Sequence, residues 1–144
     1  MFNRNKRQIE KDILNYYVCC DGAKVVGACG ISELLSGSPY GLNNLTHYQE
    51  ILYLIVERGY QKQGIGTTLL KMCIEGANSP IIYEAWGENG INSKVLLEKC
   101  GFSLVKDLGR EYYKNHGYCP FCCNRNTNCN QCSAEVWMKN PIKL

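Results

Sequence analysis

No apolar run in this chain approaches the roughly 18–20 residues that a membrane-spanning helix needs, and its start lacks the apolar core of a secretory signal. Long Lys/Arg runs are missing too, and the net charge is only +3, so neither a membrane nor a nucleic acid is implied as partner. The basic residues near the start, Arg4, Lys6, Arg7 and Lys11, are spaced like a solvated face. No internal repeat or low-complexity tract interrupts the sequence. Its 144 residues have the length of one domain. At 45% hydrophobic and 20% charged they have the composition of an ordinary globular protein. The expectation is one cytoplasmic domain spanning residues 1–144.

Cysteine, by contrast, is abundant, with ten residues. Cys19, Cys20, Cys29, Cys73 and Cys100 sit in apolar segments, where a thiol packs like a small hydrophobe. The other five crowd into 119–132. Cys119-Pro120-Phe121-Cys122 and Cys129-Asn130-Gln131-Cys132 are two Cys-x-x-Cys pairs separated by six residues. Four thiolates at that spacing can close a tetrahedral structural site with Zn–S distances of about 2.3 Å, which makes a Zn²⁺ held by Cys119, Cys122, Cys129 and Cys132 the leading reading of segment 118–133. Disulfides are the main alternative, iron–sulfur a lesser one, and Cys123 and His116 are spare ligands. The segment is too short for its own core, so a metal would supply its folding free energy.

Residues 15–20 and 24–31 read as strands joined at Asp21-Gly22, a hairpin turn signal. Residues 32–46 read mostly as loop. Another strand follows over 48–56. Ile65, Leu69, Met72, Cys73 and Ala77 recur at helical spacing, ended by Gly76 and Asn78-Ser79-Pro80. A strand over 81–86 precedes a helix capped by Asn92 or Ser93 and stopped by Gly101. Strands over 102–108 and 134–139 flank the cysteine-rich segment. This order predicts an α/β domain with one mixed sheet.

One connection carries chemistry. Gln61-Lys62-Gln63-Gly64-Ile65-Gly66-Thr67 links a buried strand to a helix, and amides converging at a helix N-terminus favour a phosphate. A Walker loop is excluded, because no Gly-Lys-Ser/Thr follows, and a dinucleotide fingerprint lacks its further glycine.

The string Gln61-x-x-Gly64-x-Gly66 after the strand ending at Val56, together with Leu96-Leu97-Glu98-Lys99-Cys100-Gly101-Phe102, resembles the GNAT acyltransferases. The resemblance covers residues 50–105. It implies a GNAT-like mixed sheet flanked by helices; to that frame this chain's own sequence adds a short N-terminal part and, from the cysteine spacing, a zinc-binding hairpin insert near the C-terminus. It also implies an N-acetyltransferase that moves acetyl from acetyl-CoA to a primary amine of a small molecule, protein or peptide. The loop Gln61, Lys62, Gln63, Gly64, Ile65, Gly66 and Thr67 would hold the pyrophosphate. Leu54, Ile55 and Val56 would pair with the pantetheine arm through main chain, and Asn89 or Asn92 would touch that arm.

Acetyl transfer needs a neutral amine, whose ammonium has a pKa near ~10.4, so a proton must leave first, and a carboxylate can take it directly or through water. Glu50 leads, six residues before Val56 and with the same side-chain parity on an unbroken strand; the histone-acetylating branch of the family places its general base at the same offset. Glu84 is second, flanked by Tyr83 and Trp86; Glu57 and Glu88 are weaker. The family often protonates the thiolate with a helix tyrosine at the position of Leu97. Here Tyr53, Tyr83, Tyr112, Tyr113 or solvent would substitute, and the amide of Ile55 or Val56 would hold the oxyanion. Residues 1–14 are too few for the strand and two helices that usually build one acceptor wall, which leaves a homodimer or another subunit open. A zinc-bearing interaction module on this scaffold, with little or no activity, is the competing reading.

Overall fold

The computed structural model describes residues 13–88, 93–110, 112 and 132–141. Among the described residues seven strands form one sheet: β1 (Ile13–Asp21), β2 (Lys24–Ser32), β3 (Leu35–Ser36), β4 (His47–Val56), β5 (Ile81–Glu88), β6 (Ser103–Gly109) and β7 (Cys132–Lys139). Two helices, α1 (Ile65–Glu75) and α2 (Lys94–Lys99), follow β4 and β5. The order across the sheet is β1-β2-β4-β5-β7-β6, with β3 paired to the start of β4. Every ladder is antiparallel except β4–β5, as the crossover through α1 requires. Among the described residues no helix is long and apolar enough to cross a membrane.

The expected order of elements is present, with differences that have physical causes. The 32–46 segment is not all loop. Leu35–Ser36 pairs with Tyr48 and His47, and Pro39–Gly41 makes a 3₁₀ turn closed by the amide of Leu42 donating to the Pro39 carbonyl (2.9 Å). The buried stripe of α1 is Leu69, Leu70 and Cys73 with Ile65 beside it, whereas Met72 is exposed. Helix α1 lies close on β2 because Gly27 has no side chain there: a Cβ would stand 3.0 Å from Ile65 Cγ2 and 3.1 Å from Leu69 Cδ1. Ser93 precedes α2 without capping it through its side chain.

Alternation divides each central strand between two faces. The helix face gathers Cys29, Ile31, Ile51, Leu70, Ile81, Ala85, Leu97, Phe102 and Trp137 into the main core. The opposite face carries Ile82 and Val136, covered by Tyr40, Leu42 and Leu45 from the β3–β4 connection.

Strand β4 is not a regular strand. Gly30 pairs with Tyr53 but the next residue, Ile31, pairs with Ile51, so Leu52 is an extra residue, a β-bulge. The bulge corrects the parity expectation. Ile51 and Leu54 both pack on the helix-face core though three residues apart. Val56 lies on the helix side near Gly66, while Glu50, next to Ile51, lies on the opposite face. The edge strands are irregular as well: Leu14 is extra in β1, and Val105 and Leu108 are extra in β6.

Candidate active site

Strands β4 and β5 pair only at Gln49↔Ile81 and Glu50↔Ile82. Beyond that point β4 stays with β2 as far as Val56, and β5 stays with β7 as far as Glu88, so the parallel pair opens into a fork. Buried polar groups fix its root. The Gln49 amide donates to the Pro80 carbonyl (2.9 Å), its side-chain Nε2 donates to the Ser32 carbonyl (3.1 Å), and its Oε1 accepts from Ser79 Oγ (3.0 Å). Ser32 Oγ in turn accepts the Glu50 amide (2.9 Å) and donates to the Glu33 carbonyl (2.8 Å). Buried polar groups with all partners in place rigidify what they join, here the residue that begins the fork.

The register decides which main-chain groups face the fork. The Glu57 amide donates to the Val26 carbonyl on β2 (2.8 Å). Successive residues point their main-chain groups to opposite sides, so Ile55 also faces β2, whereas Leu54 and Val56 face the opening between β4 and β5. The expectation for main-chain pairing and oxyanion binding is thereby corrected for Ile55, whose polar groups belong to the β2 ladder.

At the end of β4 the chain turns through Arg58–Tyr60 into the glycine-bearing loop. Gln61 Nε2 donates to the Val56 carbonyl (3.0 Å), so this side chain ties the loop to the strand. Lys62 and Gly64 both adopt left-handed backbone, φ 64 and φ 82; nothing crowds Gly64, so its glycine is required by conformation. The first intrahelical bond runs from the Thr68 amide to the Gly64 carbonyl (3.0 Å). No side chain of the N-cap residue bonds the amides of the first turn, which helix geometry leaves pointing outward at the positive end of the dipole. At Gly66 a Cβ would meet Leu96 Cδ1 at 3.4 Å and Val56 Cγ2 at 3.6 Å. Packing therefore leaves room for a methyl group there with little movement of Leu96.

The two leading carboxylates come together. Glu50 from β4 and Glu84 from β5 lie on the loop-covered face, and the hydroxyl of Tyr40 stands 3.2 Å from an Oε1 of each. Tyr112 also hydrogen-bonds Glu84. Burial first, and then the charges of Glu50 and Glu84, push the Tyr40 phenol far above its ordinary pKa. Burial, then Glu84, raises Tyr112 to about 12. Tyr53 is placed differently. Its ring lies over Gly30, where a Cβ would sit 2.8 Å from Cε1 and Cζ. Burial raises its pKa first, followed by Cys29, Cys73 and Tyr16 and not by the carboxylates. Tyr83 does not flank Glu84 in a pocket: it faces the helices, edge-on to Phe102 at 6.1 Å.

A sequence model of the acetyltransferase (GNAT) domain matches residues 12–120. The chain belongs to the GNAT acetyltransferase family. Solved structures share its fold. An IAA acetyltransferase from Bacillus cereus is 22% identical over 93% of this chain and 83% of its own, with a TM-score of 0.63. A Bacillus subtilis acetyltransferase in complex with CoA is 21% identical over 94% and 81%, with a TM-score of 0.64. The NatC complex bound to a Gag peptide and CoA is 20% identical over 89% and 71%, with a TM-score of 0.60. No curated protein matches the chain significantly.

In this GNAT acetyltransferase the position of the helix tyrosine is Leu97, buried in the main core. Asn89, Asn92, Tyr113, His116, Cys119, Cys122, Cys123 and Cys129 lie outside the described residues. Cys132 is not part of a connecting loop: β7 begins there, opposite Glu88, and Cys132 is buried beside Ala134 with Trp86, Leu108 and Tyr112 around it. Among the described residues no group of three or more His, Cys, Asp or Glu side chains is arranged to hold a metal ion. Sequence reasoning missed Tyr40. It falls in a stretch rich in Ser, Gly, Pro and Asn, and no spacing rule links it to Glu50 or Glu84.

Proposed function

We propose that this GNAT acetyltransferase transfers acetyl from acetyl-CoA to a primary amine by direct attack on the thioester, with Glu50 as general base. The observation that carries the reading is the placement of Glu50 at the root of the β4–β5 fork, on the strand whose Leu54 and Val56 main-chain groups face the opening further along. The amides of Ile65, Gly66 and Thr67 are suited to the pyrophosphate, and the fork to the amide-rich pantetheine arm. Lys62, Gln63 and Gly64 shape the turn around that phosphate site. Gln61 acts by holding the loop on β4.

Glu50 takes the ammonium proton, the neutral amine attacks the thioester carbon, and the Val56 amide stabilises the oxyanion. The tetrahedral intermediate collapses with departure of CoA thiolate, which needs little help at a thiol pKa near ~8.5 and takes up the second proton that the attacking nitrogen sheds. Glu84 gives the acceptor site a second negative group, suited to a cationic substrate. Release of CoA thiol with spermidine, an aminoglycoside, a free peptide N-terminus and a lysine-bearing peptide tests the reading. Turnover with at least one is expected. No turnover with any of them, together with no calorimetric binding of acetyl-CoA, would overturn it.

The zinc reading rests on the spacing of Cys119, Cys122, Cys129 and Cys132, four thiolates that fit a closed tetrahedral Zn²⁺ site. Because Cys132 begins β7, such a site would fasten the insert to the sheet near Trp86 and Tyr112. Elemental analysis of protein purified without chelator is expected to give about one zinc per chain, lost on Cys119→Ser. Metal-free protein with an unchanged melting temperature would remove zinc from the account.

A further inference from the structure

We propose that Tyr40 is a positioning residue of the acetyl-transfer site, its hydroxyl bridging Glu50 and Glu84 so that a proton taken by Glu50 is passed on to Glu84. The inference rests on the reading of Glu50 as general base. Tyr40 Oη lies at 3.2 Å from Oε1 of Glu50 and at 3.2 Å from Oε1 of Glu84. A phenol has one proton to donate and lone pairs to accept with. It therefore donates to one carboxylate and can accept from the other only when that carboxyl is protonated. Both bonds are satisfied when the pair holds a single proton between them.

That arrangement has two forms of equal connectivity. With the proton on Glu50, its carboxyl donates to Tyr40 and Tyr40 donates to Glu84. Movement of the Glu50 proton onto the phenol oxygen, and of the phenol proton onto Glu84, gives ionised Glu50 and protonated Glu84. One O–H bond breaks and one forms at Tyr40, so the phenol is unchanged. Glu50 is thereby restored as a base without meeting bulk water.

The rest of the residue is held for this task. Tyr40 has left-handed backbone (φ 54, ψ 24), a conformation that a bulky residue keeps only where its surroundings enforce it. Its carbonyl accepts from Lys106 Nζ at 2.6 Å, and its ring packs with Leu45, Ile82 and Val136. The charged and titratable groups around it are Glu50 and Tyr48 from β4, Glu84 from β5, Lys106 from β6 and Tyr112. Tyr112 gives Glu84 a second phenol donor, which favours the ionised, proton-accepting form of that carboxylate before the transfer. Burial raises the Tyr40 pKa, so the phenol keeps its proton at neutral pH.

Tyr40→Phe keeps the ring and removes the bridge. Infrared pH-difference spectra need no acceptor amine, and their carboxyl bands are assigned with Glu50→Gln and Glu84→Gln. The wild-type carboxyls are expected to titrate in linked steps, and in Tyr40→Phe the Glu50 midpoint is expected to move by about one pH unit. An unmoved midpoint overturns the bridge. In turnover with an amine accepted in the panel above, Tyr40→Phe is expected to lower kcat about tenfold, shift the acid limb of the pH profile and leave the KM for acetyl-CoA unchanged. A pH profile identical to wild type overturns the relay. Should Tyr40→Phe not fold, a proton inventory on the wild-type enzyme decides: a curved dependence on deuterium fraction supports two protons in flight, a linear one overturns them. Glu50→Gln with full activity removes the general base and the relay with it, while the infrared midpoints still report on the bridge alone.

Discussion

On the face covered by α1 and α2, strands β4 and β5 contribute Ile51, Leu54, Ile81 and Ala85 to the main core; on the opposite face the same strands contribute Glu50, Ile82 and Glu84. One side is hydrocarbon and thiol against helices. The other is carboxylate and phenol beneath a connection with little regular structure. Strand alternation keeps these chemistries a residue apart in sequence and a sheet thickness apart in space. Stability and activity should then respond to different substitutions along the same strand.

The strongest way to break that separation is Glu50→Gln, which removes the proposed base while keeping side-chain shape. A fall of roughly 10³-fold in kcat, about 4 kcal/mol in the barrier, is expected with little change in melting temperature. A rate within threefold of wild type at all pH values would place the base elsewhere. On the helix face, Leu70→Ala deletes a fully buried side chain and should cost about 3 kcal/mol of stability, read by urea titration, with kcat at a permissive temperature nearly unchanged. A large loss of kcat in the folded variant would show that the faces are coupled.

The loop proposed to hold the pyrophosphate sharpens the comparison. Gly64→Ala forces a left-handed alanine (φ 82) and should cost about 1–2 kcal/mol. Gly66→Ala fits the protein's own packing, its Cβ meeting Leu96 and Val56 at 3.4 and 3.6 Å. Its melting temperature should hold while acetyl-CoA affinity, measured by calorimetry, falls several-fold. Equal affinity would mean that no ligand approaches that backbone.

The smallest effect is in alkali. Tyr112 is raised from about 10 to about 12, and Tyr40 shifts in the same direction. The folded state therefore favours the protonated phenols. Their contribution is intact below about pH 10 and is lost as pH rises through about 12. Thermal melts from neutral pH to pH 12 should show a decline that steepens in that window. Tyr40→Phe should flatten it.

Much of this was legible in the chain. Apolar runs and turn residues located the strands, and Gln61-x-x-Gly64-x-Gly66 located the loop. What failed has a common cause: faces are set by register, and register depends on pairing with residues far away in sequence. Leu52, an extra residue against β2, turns Glu50 to the face opposite Val56. Helical spacing admitted Met72 as readily as Leu70, and only packing on β2 and β4 chose between them. Tyr40 carries no local signal, because its partners are ten and forty-four residues away.

One margin of the sheet has a consequence of its own. Val105 and Leu108 throw β6 out of step along its length, so that border offers a neighbour no even row of donors and acceptors. Another sheet arriving at β6 would find few bonds in register, and edge-to-edge stacking into fibrils is discouraged on that side by the same irregularities that shape the strand.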